Sequence, residues 1–551
     1  MTGELLPNAE TRRYRDLVPH AQRRIWAVQG HYPDADLYSL FERHVLRWPD
    51  RPAVVDADGE LSYAELDRLV RRLAAGLTEL GVRPGDVVAV QLPNSRISLA
   101  FDFAIAAIGA VVLPFPVGRG EHDIAALLRR SGATVGVTVS CYGDFPCAER
   151  TLALADRLPG LRAVVEMGGS VAEGCVPFAH LLASDHDEVC PARPDPDSAA
   201  RILVSSGSEA EPKMVAYSHN ALAGGRGRFI GAIRGDVAEY RALFLMPLGT
   251  AFGSNAGPAT MAANGGTLIV QSKFDVDTAL ATIERTRPTH VFGVPTMLRK
   301  IMASERLANT DTSSVRTVVL GGSTLDAATA ERIGDVLGAS VVNVYGSADG
   351  VNCHNALDDP PGKRHTVGRP NATVAEIRVV GQDLLPLPAG EIGEIIARGP
   401  ITPMSYVAAP ELDSHYRLPD GWVRLGDLGR LDEDGYLTVV GRRGDVIIRG
   451  GMNISPAEVE ALLRTCPNVR DVACVPVPDP VFGDRMCACV VADSEVTLDG
   501  LTTYLTEQGL EPRKLPEHLL LVPALPLGAA GKIDRMALRD MAARILPVGA
   551  G

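Results

Sequence analysis

The residues best suited to chemistry form one short run, Ser205-Ser206-Gly207-Ser208-Glu209-Ala210-Glu211-Pro212-Lys213. Small hydroxyl-bearing residues and a glycine offer backbone N–H groups and hydroxyls to phosphate oxygens, and Lys213 supplies a counter-charge. The run follows the apolar Ile202-Leu203-Val204, so it reads as a loop at the end of a strand. Two of its residues oppose that chemistry. At about 5 Å and an effective dielectric near 20, an ionised Glu209 would repel each phosphate charge by about 3 kcal/mol. Ala210 would resist any positive φ, which glycine adopts without steric cost.

Such a loop needs a scaffold, and strand and helix signals alternate up to residue 441. Val87–Leu92, Ala163–Val165, Thr267–Val270, Val318–Leu320 and Val341–Val342 read as buried strands. Ala64–Leu80 (stopped by Gly81), Asp277–Arg287 and Ala327–Leu337 read as helices, and Leu99–Ile108 as a buried helix leading into a strand at Ala110–Leu113. The alternation predicts an α/β fold with largely parallel sheets and ligands at the carboxyl ends of strands. Around Gly441-Arg442-Arg443-Gly444 the texture changes to a compact segment. There Ser455-Pro456-Ala457-Glu458 supplies an N-cap, an N1 proline and a capping-box acid. The predicted organisation is a large multi-sheet N-terminal domain, 1–441, and a small α+β C-terminal domain, 442–551.

At 551 residues the chain is too long for one core, and its 46% hydrophobic and 22% charged residues describe a soluble globular protein. A net charge of −13 argues against a nucleic-acid-binding surface but permits a local nucleotide pocket. Of nine cysteines, only Cys487 and Cys489 lie close together. On a strand they would share a face, but two thiols are too few ligands for a metal site, so all read as reduced core residues. No apolar run follows the polar Met1–Leu17, and Asp102, Gly109, Pro114 and Pro116 interrupt the longest one, Ala100–Val117. Neither a signal peptide nor a membrane span is expected, and the expected location is the cytoplasm. The sequence holds no Walker A loop, dinucleotide fingerprint or His-Glu-x-x-His site.

The 205–213 run resembles the phosphate loop of AMP-forming acyl ligases, the superfamily of acyl-CoA synthetases, adenylation domains and luciferases, commonly [Thr/Ser]-Ser-Gly-[Ser/Thr]-Thr-Gly-x-Pro-Lys. Further motifs of that superfamily follow in order from residue 30 to residue 540. Leu61-Ser62-Tyr63-Ala64-Glu65-Leu66 and Ile108-Gly109-Ala110-Val111-Val112-Leu113-Pro114 resemble its two early structural motifs, and core packing is their expected role. Leu320-Gly321-Gly322-Ser323 and Tyr345-Gly346-Ser347-Ala348-Asp349-Gly350 resemble the loops that hold the adenine. Glycines there let the backbone approach a flat base, and Tyr345 offers a stacking face. Asp349 stands where the superfamily carries its Mg²⁺-binding glutamate, one methylene longer. Ala348 and the later Leu357-Asp358-Asp359-Pro360 resemble the aryl-acid-activating branch.

Val423-Arg424-Leu425-Gly426-Asp427 resembles Tyr-Arg-Thr-Gly-Asp, whose aspartate accepts both ribose hydroxyls in charge-assisted bonds. Arg442 matches the hinge-side arginine that also holds the nucleotide, and Gly444 occupies the hinge position itself. Leu525-Pro526-Leu527-Gly528-Ala529-Ala530-Gly531-Lys532-Ile533-Asp534-Arg535 resembles the terminal motif Leu-Pro-x-Thr-x-x-Gly-Lys-Ile-x-Arg. Its lysine, here Lys532, bridges the carboxylate and the ATP phosphates and neutralises charge during adenylation. Arg449-Gly450-Gly451 resembles the segment lining the pantetheine tunnel. The resemblance implies a C-terminal domain acting as a mobile lid with two poses, and ATP or acyl-AMP, Mg²⁺ and CoA as its ligands.

Met246-Pro247-Leu248-Gly249-Thr250-Ala251-Phe252-Gly253-Ser254-Asn255 resembles the segment that opens the acyl pocket, with Gly249, Thr250, Phe252 and Gly253 as its candidate lining. Neither the His-Asn of siderophore aryl-acid ligases nor the Asp of amino-acid domains is present. Small residues at these positions predict space for a bulky aryl or polycyclic acid; a close-packed helix start is the structural alternative. The expected activity is that of an acyl-CoA ligase of natural-product biosynthesis, acting on such an acid through an acyl-adenylate. Glu209, Ala210, and Gly528 in place of threonine predict weakened adenylation, with preformed acyl-AMP as substrate. A stand-alone ligase loading a carrier-protein phosphopantetheine and a non-catalytic acyl-adenylate-binding homologue are the alternatives.

Overall fold

A computed structural model describes residues 13–545, apart from 170, 184–189, 206–211, 324, 443–446, 450–451, 455, 480–482 and 529–531. Among the described residues two eight-stranded sheets dominate the N-terminal part. One runs in the order Val351–His354, Ser340–Ser347, Thr317–Gly321, His290–Gly293, Arg241–Phe244, Thr267–Val270, Pro52–Asp56, Gly59–Ser62. Its inner strands are parallel, and an antiparallel hairpin closes each edge. Runs such as Val318-Val319-Leu320 are apolar throughout because helices cover both faces of a parallel sheet.

The second sheet runs Ser405–Tyr406, Met214–Ser218, Ala199–Val204, Val111–Pro114, Val87–Gln91, Ala133–Val139, Ala163–Met167, Val176–Pro177. The strand Ala199–Val204 pairs parallel with Val111–Pro114 on one side and antiparallel with Met214–Ser218 on the other. Residues 205–213 therefore connect the two arms of a hairpin. The Leu61–Leu66 motif also gains a physical meaning: Ser62 and Glu65 form a reciprocal capping box that starts the helix Tyr63–Glu79. Gly81, at φ +86°, ends it.

The chain forms two compact units. One runs to Ile377 and resumes over Ala397–Leu425; the other takes Arg378–Ile396 and continues from Gly426. The second unit thus includes the hairpin of Val423–Leu431 with Leu437–Arg442 from Gly426 onward, ahead of the residue-442 texture change. Its later part is a sheet whose long hairpin pairs Val469–Asp479 with Gly483–Ala492, covered by the helices Pro456–Leu463, Leu498–Glu507 and Arg535–Ile545. The two faces of that hairpin fill two cores. Val472, Cys474, Met486 and Val490 enter one; Ala473, Val475, Cys487 and Cys489 enter the other, as a period of two requires. No helix among the described residues is long and apolar enough to cross a membrane.

Candidate active site

In the first unit, Thr317–Gly321 and Ser340–Ser347 are parallel neighbours, so the turns that follow them leave the sheet side by side. Gly322 sits at φ +84°, a conformation that a side chain would strain, and it and Ser323 are exposed. Tyr345 is half-buried and Gly346 exposed. The ring of Phe252 lies against this region: a Cβ placed on Gly321 would stand 3.3 Å from its Cε1.

Asp349 is buried, and both its carboxylate oxygens accept hydroxyl donors. Tyr406 Oη donates to Oδ1 at 2.6 Å and Ser347 Oγ to Oδ2 at 2.7 Å. Below the loop, Tyr217 Oη donates to the Ala348 carbonyl at 2.8 Å. Arg226 Nη2 donates to Tyr217 Oη at 2.9 Å and to the Ser347 carbonyl at 3.1 Å. Burial pushes the phenols of Tyr217 and Tyr406 upward, so both remain protonated donors. Each carboxylate oxygen of Asp349 keeps a second lone pair. Mg²⁺ is usually held by one or two carboxylates plus substrate phosphates, so Asp349 fits a phosphate-borne ion. No group of three His, Cys, Asp or Glu side chains among the described residues fits a dedicated metal cage.

Lys213 Nζ donates to Tyr416 Oη at 2.7 Å, and its ammonium lies 4.0 Å from the Tyr416 ring centroid. Ser205 closes the hairpin, its N–H donating to the Lys213 carbonyl at 2.9 Å. Its hydroxyl is buried and has no hydrogen-bond partner among the described residues. Ser206, Gly207, Ser208, Glu209 and Ala210 lie outside the described residues.

The acyl segment corrects one inference from sequence. A Cβ on Gly249 would stand 2.7 Å from the carbonyl carbon of Phe115, and one on Gly253 would stand 2.2 Å from the Pro247 carbonyl oxygen. Backbone already fills the space these glycines leave, so their smallness is a packing requirement and not room for a bulky acid. Thr250 is likewise engaged, donating to the Pro247 carbonyl at 2.8 Å and accepting the Gly253 N–H at 3.1 Å. Asn94 fixes the segment from outside: its Nδ2 donates to the Met246 carbonyl (3.0 Å) and its Oδ1 accepts from the Leu248 N–H (2.7 Å). We expect Gly253→Ala to destabilise the protein by about 1–3 kcal/mol, because a backbone carbonyl cannot yield to the new methyl. Urea unfolding measures this, and an unchanged midpoint would contradict the packing.

In the second unit, Asp427 and Arg442 are register partners across the hairpin, with Nε 3.4 Å from Oδ1. Asp427 is buried, while the arginine side chain stays 44% exposed and able to swing toward a ligand. Lys532 senses both charges. Burial chiefly lowers its ammonium pKa, Arg442 lowers it further, and Asp427 opposes them. The Gly528 N–H donates to the Lys532 carbonyl at 2.7 Å, which ties off the turn bearing the lysine. A Cβ on Gly528 would meet nothing closer than 3.8 Å, so the missing threonine reflects no steric exclusion.

Behind the turn, Arg535 donates to the fully buried Glu460 (Nη1 to Oε1, 2.7 Å) and to the Cys474 carbonyl (2.7 Å). Glu460 also accepts from Arg464 at 3.3 Å and from the Cys474 N–H at 2.8 Å. The last arginine of the terminal motif is therefore an anchor that holds Lys532's turn to the sheet. Glu460→Gln removes the buried charge that Arg535 and Arg464 share, although Arg464 keeps Asp471 at 3.9 Å, and we expect a loss of about 3–5 kcal/mol. A thermal scan of the variant that matched the wild type would refute this role. Gly444, Gly450 and Gly451 lie outside the described residues; Arg449 ends the strand Ile447–Arg449, paired with Met452–Ile454, but its side chain lies outside them.

Sequence reasoning missed Tyr217, Arg226, Tyr406, Tyr416 and Glu460. Tyr406 lies 57 residues from Asp349 and Tyr416 lies 203 from Lys213. No local spacing signals such pairs. A buried glutamate among apolar helix positions, Val459-Glu460-Ala461-Leu462-Leu463, was the one clue available.

An α/β unit with glycine-bearing turns at neighbouring strand ends, and a second unit that holds Lys532 and the Asp427–Arg442 pair, have the architecture of AMP-forming ligases. The signature described as AMP-binding enzyme matches residues 41–407, and that of the AMP-binding enzyme C-terminal domain matches 458–532. The chain belongs to the AMP-binding enzyme family. It is 34% identical over 529 residues to the salicyl-AMP ligase / salicyl-S-ArCP synthetase of Mycobacterium tuberculosis, covering 93% of this chain and 92% of the relative. It is 31% identical over 535 residues to the 2-hydroxy-7-methoxy-5-methyl-1-naphthoate–CoA ligase of Streptomyces carzinostaticus, covering 94% and 95%. Among solved structures it is similar to ATP-bound MatB from Rhodopseudomonas palustris, with a TM-score of 0.84, 26% identity, and 93% and 100% coverage.

Proposed function

We propose that the protein joins an aryl carboxylic acid to the thiol of CoA through an acyl-adenylate. In the first step the carboxylate attacks the α-phosphorus of ATP and pyrophosphate leaves. In the second the thiolate attacks the acyl carbonyl and AMP leaves. Lys532 serves the first step by balancing charge on the carboxylate and phosphates. Asp427 accepts the ribose hydroxyls and Arg442 assists; Tyr345, Gly346, Ser347, Gly322 and Ser323 hold the adenine. Lys213 and Ser205 serve the phosphates. Asp349 would hold Mg²⁺, which when bound would supply positive charge to the phosphates. By resemblance alone, Arg449, Gly450 and Gly451 would serve the thiol arm and Gly444 would be a hinge.

The observation that carries this reading is Lys532 held by an anchored turn in the same unit as the Asp427–Arg442 pair. An aryl acid is favoured by the relatives' names, which specify salicyl and naphthoate groups, and no longer by the glycines of the acyl segment. The naphthoate relative favours CoA as acceptor. The mycobacterial relative favours a carrier protein, which is therefore the second reading. Acyl transfer from ATP and a panel of aryl acids, offered CoA and holo-carrier protein in parallel, tests both. Pyrophosphate release without either thioester would remove the acceptor assignment. Failure with ATP but transfer from preformed acyl-AMP would identify a protein whose adenylation step is weak. Failure to retain any acyl-AMP would refute the ligase reading.

A further inference from the structure

One short stretch of the first unit grips both Lys213 and Asp349, the two groups there that carry charge for the triphosphate. Tyr406, on the strand Ser405–Tyr406, donates to Asp349, and Lys213 donates to Tyr416 at the end of the helix Pro410–Tyr416. The two tyrosine rings lie 5.7 Å apart between centroids.

The stretch is fastened along its length. Asp413 Oδ1 accepts the Tyr406 N–H and the Arg417 Nε–H, both at 3.0 Å, and Arg417 Nη2 donates to the Pro403 carbonyl at 3.0 Å. The strand is also tied to the chain on either side of Lys213. Ser405 and Tyr406 pair with Ala216 and Val215, and the Val407 N–H donates to the Met214 carbonyl at 2.9 Å. Arg130 bridges the two segments, donating to the Pro212 carbonyl at 3.2 Å and to the Val407 carbonyl at 3.5 Å. The backbone that bears Lys213 is therefore held against the element that bears Tyr416.

A lysine by itself aims poorly, because its ammonium rides on a flexible four-carbon stem with many rotamers. Tyr416 restricts that freedom twice over. Its hydroxyl accepts an ammonium hydrogen at 2.7 Å, and the ammonium lies 4.0 Å from its ring centroid. An ammonium has three donors, so a bond to the phenol is compatible with bonds to phosphate oxygens. An aromatic hydroxyl also holds a lysine without neutralising it, whereas a carboxylate in that place would cancel the charge that the phosphates need. We propose that Tyr416 is a positioning residue that presents Lys213 to the triphosphate of ATP. The inference rests on the ligase reading and adds to it a residue that acts through Lys213 and has no contact with the reacting atoms.

The test is calorimetric titration of ATP with Mg²⁺, and separately of AMP, into full-length wild type, Tyr416→Leu, Tyr416→Phe, Lys213→Ala and the double variants. Tyr416→Leu should weaken ATP about tenfold and leave AMP, with one phosphate of the three, within about twofold. Tyr416→Phe keeps the ring face and loses the hydroxyl, so it should weaken ATP about threefold. On a Lys213→Ala background neither substitution should change ATP affinity by more than about twofold, since the group they act through is gone. A general loss of structure would lower both nucleotides on both backgrounds. Unchanged ATP affinity in Tyr416→Leu, equal losses for ATP and AMP, or a loss that persists without Lys213 would each overturn the inference. Should the leucine variant fail to fold, the phenylalanine cycle decides by the same criteria. A wild type that binds an acyl-sulfamoyl adenosine but not ATP would overturn the inference and leave the ligase reading intact. Binding of none of the three ligands would overturn the ligase reading, and this inference with it.

Discussion

Lys532→Ala should lower ATP–pyrophosphate exchange by about 10²–10³-fold, the usual cost of removing one preorganised group that stabilises transition-state charge. Thioester formation from preformed acyl-AMP should stay within about threefold of wild type, because a residue used in one half-reaction leaves the other alone. The reason lies in the chemistry of the first step: an anionic carboxylate must approach an anionic triphosphate, and only adenylation carries that repulsion. Exchange should also fall with rising pH, since only the ammonium form balances the charge. Burial and Arg442 lower the Lys532 pKa, so the fall should begin below the range of an ordinary exposed lysine. Lys532→Arg, whose guanidinium stays protonated, should flatten that alkaline limb even where its rate is low. Equal losses in both half-reactions, or a pH profile unchanged in Lys532→Arg, would disprove the assignment.

Asp427→Ala should behave differently, weakening both half-reactions. Two charge-assisted hydrogen bonds to the ribose are worth about 1.5–3 kcal/mol each, so the affinity for ATP and for acyl-AMP should fall by about 10²–10⁴-fold. The substitution also leaves Arg442 without the carboxylate that faces it across the hairpin. The measurement is binding of AMP or an acyl-sulfamoyl adenosine, which needs no turnover. A variant that bound these ligands as tightly as the wild type would show that Asp427 serves only its arginine. The Lys532 and Asp427 variants together separate charge balance in one step from nucleotide retention in both.

The departures from the superfamily pattern can now be weighed separately. Among the described residues a Cβ on Gly528 would make only an ordinary contact at 3.8 Å, and Gly528 still closes the lysine turn through its N–H, so it offers no structural reason for weak adenylation. Asp349, by contrast, is buried and engaged by Tyr406 and Ser347. A longer glutamate there would displace those hydroxyls, so Asp349 and Tyr406 form a matched pair. The Glu209 repulsion remains the one electrostatic argument for slow adenylation, and the acyl-AMP experiment addresses it directly.

Much of this protein was legible from its sequence alone. The apolar run Thr267–Val270 and the period-3.6 pattern of Ala327–Leu337 gave elements at the bounds that the structure has, because burial on both faces of a parallel strand, or on one face of a helix, is written locally along the chain. Gly81 marked the end of one helix, while the Ser62–Glu65 capping box that starts it at Tyr63 emerged only from the structure. The order of glycine-rich turns and single charges carried the family resemblance for the same reason. What tertiary structure alone decided were contacts between residues far apart in the chain. Tyr406 on Asp349, Tyr416 on Lys213 and Arg535 on Glu460 join positions whose spacing follows from sheet order, which no local pattern encodes. The glycines at 249 and 253 make the point most directly. A missing side chain reads the same in sequence whether a ligand or a backbone fills its place, and only the packing of Phe115 and Pro247 against them settled that it is backbone.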